Sequence, residues 1–242
     1  MEKIKFDIIT IFPDILKCYF NETLLKKAIE KGIIEVNIHN LRNYSSDIRK
    51  SVDDKPFGGG RGMVIKIEPI LKAVAHLTKL ELKGLKLKPK DKRTKIILFS
   101  PRGKKFNQKM AFKFSKLKHL ILISGRYEGI DERIAKYLAT DIISIGDYVL
   151  MGGEIPALIL VESISRLVPG VVGKSDLLLS ERVTKNYGFI EFPQFTRPEI
   201  FYPGKILKKI KKNVKWQVPK LLLSGDHKKV QEWREKNQKI IE

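Results

Sequence analysis

Residues 144–157 read SIGDYVLMGGEIPA, and this short stretch decides how the rest of the chain is interpreted. It begins like a buried strand, but three glycines and two acids interrupt it: Gly146, Asp147, Gly152, Gly153 and Glu154. Glycine weakens a strand or helix, and a buried charge costs more unless it is paired. The apolar run resumes at once in residues 158–161. The pattern therefore predicts a functional loop between two core elements.

The regions on either side of this loop alternate between apolar runs and amphipathic stretches. Near-continuous apolar runs predict five strands, at 4–10, 33–39, 94–99, 119–124 and 141–145. Apolar residues at helical spacing predict helices near 14–31, 68–80, 107–117, 129–138 and 156–168. Strands buried on both faces and separated by helices are typical of parallel sheets. We predict an α/β fold with a mainly parallel sheet.

The pattern changes after Gly170 and indicates a second domain. Residues 1–168 are interpreted as the α/β domain, 169–188 as an interdomain linker and 189–242 as a small helical domain. The last predicted helix runs from about residue 226 to 240, and Asp226 is its expected N-cap.

Composition indicates a globular chain with an anionic partner. The 242 residues are 43% apolar, but no apolar run approaches the length of a membrane helix. Cys18 is the only cysteine, which suits the cytoplasm. The net charge is +21, with lysine-rich stripes at 79–118 and 205–215. Such stripes favour nucleic acid as a partner, although a host with a lysine-rich proteome is the alternative explanation.

Three glycine-bearing loops each follow a predicted strand: SPRG at 100–103, SGRYEGID at 124–131, and the loop at 144–154. Ligands of open parallel sheets bind at the carboxyl ends of strands, so three such loops favour one shared site over three unrelated turns. A P-loop is not favoured. VGKS at 172–175 lacks the glycine that the motif requires five residues earlier, where Val168 stands.

Longer motifs add a resemblance to a known family. SPRG, SGRYEGIDER, SIGDYVLMGGEIPALILVESISRLVPGVVG, FPQFTRP and VPKLLLSGDHKKVQEWR occur in this order, after KFDIITIFPDI and DDKPFGGGRGMV. Together they resemble the TrmD family of bacterial tRNA (guanine-N1)-methyltransferases over almost the whole chain. The resemblance implies a trefoil-knotted SPOUT fold, S-adenosylmethionine as methyl donor, and a homodimer with shared active sites. It also implies tRNA as substrate, methylated at the guanosine just 3′ of the anticodon (position 37). We expect neither a membrane nor DNA as a partner. Mg²⁺ is a candidate further requirement of the reaction.

The resemblance implies a donor site built from the three loops. Gly146, Gly152 and Gly153 would let the backbone meet the adenine edge, while Gly125 and the turn at 127–129 would hold the ribose and methionyl side. The full expected set is Ser100, Pro101, Gly103, Gly125, Tyr127, Glu128, Gly129, Ile145, Gly146, Asp147, Tyr148, Val149, Leu150, Gly152 and Gly153. Asp147 and Glu154 would either accept from backbone donors or face the sulfonium cation.

The chemistry requires two further groups. Guanine N1 carries a proton at neutral pH, so its methylation needs a base, and charge that builds on O6 needs a donor or cation. The resemblance gives the second role to Arg166. Where the family pattern has the linker aspartate, this sequence has Val183, followed by Thr184. We predict Glu181 as the base, with Asp176 and Glu191 as alternatives. A catalytically weakened tRNA-binding homologue is the alternative function.

Overall fold

The protein is described by a computed structural model that covers residues 3–172, 182–184 and 188–241. The chain separates into two compact units, Met1–Glu181 and Arg182–Glu242, which are described one at a time. The division falls inside the segment interpreted as a linker, residues 169–188. In the described residues, no helix is both long enough and apolar enough to cross a membrane.

The first unit contains nine strands and six helices among its described residues. The strands are β1 (Ile4–Thr10), β2 (Ile34–Asn40), β3 (Asp53–Asp54), β4 (Val64–Ile65), β5 (Leu80–Lys83), β6 (Lys86–Pro89), β7 (Thr94–Lys105), β8 (His119–Ile123) and β9 (Asp141–Ser144). The helices are α1 (Asp14–Phe20), α2 (Thr23–Glu30), α3 (Ile67–Leu77), α4 (Gln108–Phe114), α5 (Glu132–Tyr137) and α6 (Glu154–Ser165).

A five-stranded sheet of order β2-β1-β8-β7-β9 forms the centre of this unit. All four strand pairings are parallel, which confirms the predicted fold class and all five predicted strands. Side chains alternate between the two faces of each strand. Phe6 and Ile8 of β1 pack with helices α1, α2, α4 and α6, whereas Ile9 packs with α3 and α5 on the other face. The near-continuous apolar runs follow from this double coverage.

The helix predicted at 14–31 is two helices in the structure. Helix α1 ends at Phe20, Asn21 is its C-cap, and Glu22 takes an extended conformation before α2 begins. Asparagine competes for backbone hydrogen bonds and favours helix ends over helix interiors. Both segments still bury one apolar face, which explains why the periodicity runs across the break.

An antiparallel hairpin of β5 and β6 lies where the sequence predicted only the end of a helix. Helix α3 stops at Leu77, and Thr78 is already extended. The segment LELKGLKLKP at 80–89 alternates leucine with charged residues around Gly84, which has φ +62°. Period-two alternation around a glycine turn is a hairpin pattern, so the sequence did contain this signal.

The second unit combines one α-helix with two short antiparallel strand pairs in its described residues. Helix α7 spans His227–Asn237, and the Asp226 side chain accepts from the backbone N–H of Lys229 at 3.1 Å, as the predicted N-cap should. The strands are β10 (Phe189–Glu191), β11 (Ile200–Phe201), β12 (Trp216–Gln217) and β13 (Lys239–Ile241). β10 pairs with β13 and β11 with β12, so this unit contains more strand than the sequence pattern indicated.

A buried carboxylate stabilises the centre of the sheet from within. Asp7 of β1 is fully buried and accepts hydrogen bonds from His119 (2.5 Å), His39 (2.8 Å) and Asn37 (3.0 Å), and Lys5 lies 2.9 Å away. Burial, the largest single influence, raises the pKa of Asp7, but these four partners together lower it well below its usual range. The partners lie on β1, β2 and β8, so one carboxylate ties three adjacent strands.

Replacing Asp7 tests this network. Asp7→Asn should lower the free energy of unfolding at pH 7 by about 3–5 kcal/mol, because an amide cannot replace the buried anion that pairs with Lys5 and accepts from the other three side chains. The folded-state pKa lies below the unfolded value of about 3.9, so the stabilisation exists above that pH and disappears as the pH falls. Urea denaturation from pH 7 down to pH 3 should show the two proteins converging in stability.

The half-exposed Glu35 on β2 provides the matched control. Its carboxylate pairs with Lys3 at 2.8 Å, and Glu35→Gln should cost less than about 1 kcal/mol at pH 7. Equal losses of unfolding free energy in the two variants would show that Asp7 stabilises the sheet no more than an ordinary surface charge does.

Candidate active site

A cleft of about 510 Å³ opens at the carboxyl edge of the sheet. Its walls are residues 100–103 within β7 and the loops that follow β8 and β9, which are the three glycine-bearing segments predicted to share a site. Parallel strands end at the same edge, so residues far apart in sequence meet there. The volume falls within the range of small-molecule sites in proteins.

The first wall is a bulge in the long strand β7. Phe99 and Lys104 both pair with Ile143 of β9, so residues 100–103 are pushed out of the ladder toward the cleft. Gly103 closes this bulge against β9. A Cβ atom at position 103 would lie 2.6 Å from the backbone nitrogen and carbonyl carbon of Ile143, which only glycine avoids.

The second wall is the turn at residues 125–131. Met63, which precedes β4, and Ile65 of β4 hold this turn in place. The Glu128 N–H donates to the carbonyl of Met63 at 3.0 Å, and the Ile65 N–H donates to the carbonyl of Gly129 at 3.0 Å. Tyr127 takes the left-handed conformation with φ +61°. Strained positions of this kind cluster at ligand sites, because the surrounding contacts must enforce them. The Glu128 side chain projects from this turn into the cleft lining.

The third wall is the segment 144–157, and the contacts there explain its glycines. The Gly153 N–H donates to the carbonyl of Gly125 at 2.9 Å, which joins the second and third walls directly. A Cβ atom at position 153 would lie 2.6 Å from Cα of Ser124. The protein's own backbone therefore requires glycine here, whereas the sequence analysis attributed the requirement to a bound ligand.

Both acids of this segment pair with side chains. Glu154 is 1% exposed, and its carboxylate accepts from the Thr10 hydroxyl at 2.6 Å and from Nε of Arg126 at 2.9 Å. Asp147 pairs with Lys105 at the end of β7. Both acids thus have side-chain partners, where backbone donors or the sulfonium were expected. Glu154 anchors the start of α6, and Asp147 fastens the exposed part of the loop.

Most of the predicted donor-binding residues lie around this one cleft. Twelve of the fifteen line it: Ser100, Pro101, Gly125, Tyr127, Glu128, Gly129, Ile145, Tyr148, Val149, Leu150, Gly152 and Gly153. The other three, Gly103, Gly146 and Asp147, do not line it. Arg102, Arg126, Glu132 and Met151 also line the cleft, but the sequence analysis did not select them. Each of them lies within or next to a selected loop, and that proximity is the signal that could have found them.

Of the two predicted catalytic residues, only Arg166 is among the described residues, and it does not line this cleft. Arg166 is the exposed C-cap of α6, whereas the first residue of that helix, Glu154, lies beside the cleft. Twelve positions along a helix span about 18 Å. Glu181 and Asp176 lie outside the described residues. Glu191 is described, and both of its carboxylate oxygens accept from Arg182, at 3.1 and 3.3 Å.

Val183 stands where the family pattern has aspartate, and its described contacts are structural. It forms an isolated antiparallel bridge with Phe189 at the start of the second unit. An apolar side chain has no group that can take a proton. In the described parts of the chain, no set of three or more histidines, cysteines and acids is grouped to hold a metal ion.

Large apolar side chains are exposed beside the cleft and along two helices. Val149 is 80% and Met151 88% exposed in the third wall. Exposed apolar side chains also occur on α1 and α6: Ile15, Tyr19, Ile155 and Ile159. α1 and α6 pack on the same face of the sheet, and the Tyr19 hydroxyl donates to Glu162 of α6 at 3.0 Å. Exposed apolar side chains that gather on one face are typical of protein interfaces.

The fold and the cleft define an α/β protein with a small-molecule site at the carboxyl edge of a parallel sheet. The family model of the tRNA (guanine-1)-methyltransferase TrmD matches residues 4–241. A tRNA (guanine-N(1)-)-methyltransferase from Dictyoglomus turgidum is 46% identical over 96% of this chain and 84% of its own length. Enzymes with the same name from Clostridioides difficile and Geobacillus kaustophilus are 44% and 42% identical, over 95% and 96% of this chain and 90% and 85% of their own lengths.

This chain therefore belongs to the tRNA (guanine-1)-methyltransferase TrmD family. The match confirms the resemblance that the sequence motifs indicated, and with it the SPOUT class of α/β fold. The trefoil knot stays a prediction.

Substitutions at Gly153 and Gly146 test whether packing within the protein is what requires glycine at position 153. Gly153→Ala should cost about 1–3 kcal/mol and lower Tm by about 2–12 °C without any ligand, because its Cβ meets the backbone of Ser124. Gly146→Ala would meet only the ring of Tyr148, which is exposed and can turn away. Its Tm should stay within about 2 °C of the parent. Thermal denaturation of both variants measures the difference, and an unperturbed Gly153→Ala would contradict the packing role.

Proposed function

We propose that this chain transfers a methyl group from S-adenosylmethionine to N1 of guanine in tRNA, at the guanosine immediately 3′ of the anticodon. The observation that carries the proposal is the agreement between a family match over residues 4–241 and a cleft built from the three motif-bearing loops. The relatives carry enzyme names, which favours an active methyltransferase over a binding-only homologue. The reaction would take place in the cytoplasm.

The cleft suits a ligand that combines an adenine base with a cationic amino-acid part. Apolar side chains on one wall, Ile145 and Leu150, can contact a planar base. Two cleft-lining carboxylates are available on the opposite turn and helix. Glu132 pairs with Arg102 at 2.6 Å, but the Glu128 carboxylate has no side-chain partner among the described residues. An acid in this position can attract an ammonium or sulfonium group or accept from ribose hydroxyls.

S-adenosylmethionine, when bound, supplies a methyl group on a positively charged sulfur that leaves as a neutral thioether. The chain's own residues would have to prepare the guanine. A carboxylate removes the N1 proton and keeps it, and the N1 electron pair then forms the new bond to the methyl carbon. The carbon–sulfur bond breaks, and its electrons stay on sulfur. Glu181 is the proposed base, and Arg166 would stabilise the negative charge on O6.

A homodimer with shared sites would bring these groups together. In one chain, Arg166 lies about 15 Å along α6 from Pro156, the residue of that helix that lines the cleft, so a single copy would not join the donor site and the catalytic arginine. The exposed apolar side chains on α1 and α6 offer a surface for a second copy, since stable homodimer interfaces are mostly apolar. We propose that the partner's Arg166 completes each cleft.

Lysine-rich surfaces would hold the tRNA backbone. Residues 205–215 contain six lysines and no acid, and the stripe at 79–118 contributes further positive charge. Contacts of lysine with phosphate release bound counterions, so the affinity for tRNA should fall steeply with salt.

Mapping the methylated base tests the function directly. Unmodified tRNA transcript is incubated with donor carrying a labelled methyl group, and the product is digested and its nucleosides are identified by mass spectrometry. The proposal predicts label on guanine N1 at the position after the anticodon, and none when that guanosine is replaced by adenosine. Label elsewhere, or binding of donor without transfer, would contradict it. Parallel reactions with Mg²⁺ and with EDTA test the expected cation requirement.

Substitution of Glu181 tests the assignment of the base. Glu181→Gln keeps size and hydrogen bonding but removes the basic oxygen, so the single-turnover rate should fall by about 10²–10⁴-fold with donor and tRNA affinities nearly unchanged. Asp176→Asn is the matched control and should change the rate little. Val183→Asp should be neutral or harmful if Glu181 is the base, and should accelerate transfer if the family's position was simply lost. A Glu181→Gln variant with the parent rate would contradict the assignment.

A further inference from the structure

Trp216 in the second unit is an exposed aromatic residue whose ring packs against a neighbouring strand. It is 61% exposed, although tryptophan is one of the most costly side chains to leave in water. Its ring centroid lies 5.7 Å from that of Phe201, at an interplanar angle of 32°. Trp216 on β12 pairs directly with Phe201 on β11. The strand pair therefore fixes the indole and leaves much of its surface open to solvent.

The other tryptophan of the chain provides a contrast. Trp233 of α7 is half-buried and packs edge-on against Phe195, with ring centroids 6.1 Å apart. Phe195 is itself exposed, so this edge contact covers the half-buried indole only in part. Trp216 is exposed at a strand pair that closes a long loop, so its position does not follow from core packing.

The loop closed by β11 and β12 is the lysine-rich segment 205–215. Successive hydrogen-bonded turns fold it back on itself, such as Leu207 N–H to the carbonyl of Pro203 at 2.8 Å and Val214 N–H to that of Lys211 at 3.1 Å. Nζ of Lys205 lies 5.1 Å from the centroid of the Tyr202 ring, which follows Phe201 in the chain. An aromatic pair and a tightly turned basic loop thus share one stem.

We propose that Trp216 is a stacking platform for a nucleobase that is unpaired in the bound tRNA. A nucleobase would cover the open surface of the indole, while the lysines of the loop contact the flanking phosphates. Surfaces that hold single-stranded nucleic acid combine these two features, because stacking uses the base and the charges use the backbone. This inference rests on the proposed tRNA substrate and names a site in the second unit for it.

Two other partners are less suited to this surface. An anionic membrane would bind the lysines, and the exposed Ile206 and Leu207 could enter it, but a ring backed by Phe201 in a fixed strand pair favours a planar ligand. A protein partner would need acids to match six lysines. Both are outcomes of the test.

Intrinsic fluorescence gives a direct readout once Trp233 is replaced. In a Trp233→Phe protein, Trp216 is the only tryptophan, and its emission should be readily quenched by acrylamide in the free protein. Addition of unmodified tRNA should reduce both the emission and the acrylamide quenching constant several-fold. Full protection from acrylamide before tRNA is added would mean that a second subunit covers Trp216, and this would overturn the proposal. A response to phosphatidylserine vesicles but not to tRNA would also overturn it.

Affinity measurements distinguish the contribution of base stacking on Trp216 from that of the lysine charges. Trp216→Leu should weaken tRNA binding about tenfold, whereas Trp216→Phe, which keeps an aromatic face, should stay within about threefold of the parent. The slope of log affinity against log salt should be unchanged in Trp216→Leu, because no phosphate contact is lost. A variant with Lys208, Lys209, Lys211 and Lys212 replaced by Gln should instead flatten that slope.

The outcomes distinguish this inference from the proposed function. If the parent protein binds and methylates tRNA but Trp216→Leu binds it as tightly, the stacking role is wrong and the function stands. If the parent binds no tRNA, the function itself fails. Circular dichroism confirms folding of each variant, and the fluorescence titration keeps the test decisive should Trp216→Leu not fold.

Discussion

The ion pair and hydrogen bond at Glu154 are the contacts on which the candidate site depends. The carboxylate is almost fully buried and joins three distant parts of the chain: the end of β1 through Thr10, the loop after β8 through Arg126, and the start of α6. The guanidinium of Arg126 also lies 5.0 Å from the centroid of the Phe12 ring. A buried charge is tolerated only where partners satisfy it. The loops therefore keep their conformation only while Thr10 and Arg126 contact Glu154. Two cleft walls and the first turn of α6 share this single anchor.

The proposed mechanism would separate the groups that bind the donor from those that act on the base. Backbone contacts within one chain build the cleft, as the hydrogen bond from Gly153 to Gly125 shows. Of the proposed catalytic groups, Arg166 lies at the end of α6, away from the residues that line the cleft. An enzyme arranged in this way could bind donor as a single chain but would need a second copy for transfer. The exposed apolar side chains of α1 and α6 are consistent with that requirement.

Sequence patterns predicted the sheet because its signal is local. Five apolar runs became five strands, and the loops after three of them line one cleft. The reasons why particular residues are required were harder to predict from the sequence, because they depend on neighbours far away in the chain. Glycine at 153 is required by Ser124, and Glu154 is satisfied by Thr10, 144 positions earlier. The hairpin at 80–89 was missed despite its alternating leucines, because the segment was interpreted only as part of the lysine-rich stripe at 79–118. The family pattern does not supply the general base, since the linker departs from it at Val183, and Glu181 was chosen as the nearest acid in the sequence.

The central claim is that a preformed anchor at Glu154 creates the donor cleft, and a titration of one variant tests it most directly. Isothermal titration of S-adenosylmethionine into the parent and into Glu154→Gln compares proteins of equal size that differ in one buried charge. Glu68→Gln, which removes an exposed partner of Lys72, serves as the control. The account predicts that Glu154→Gln remains folded but weakens donor binding at least about tenfold, because the Arg126 charge is left partly buried and unpaired. Glu68→Gln should bind as the parent does. Donor affinity equal to the parent's in a folded Glu154→Gln protein would contradict the account.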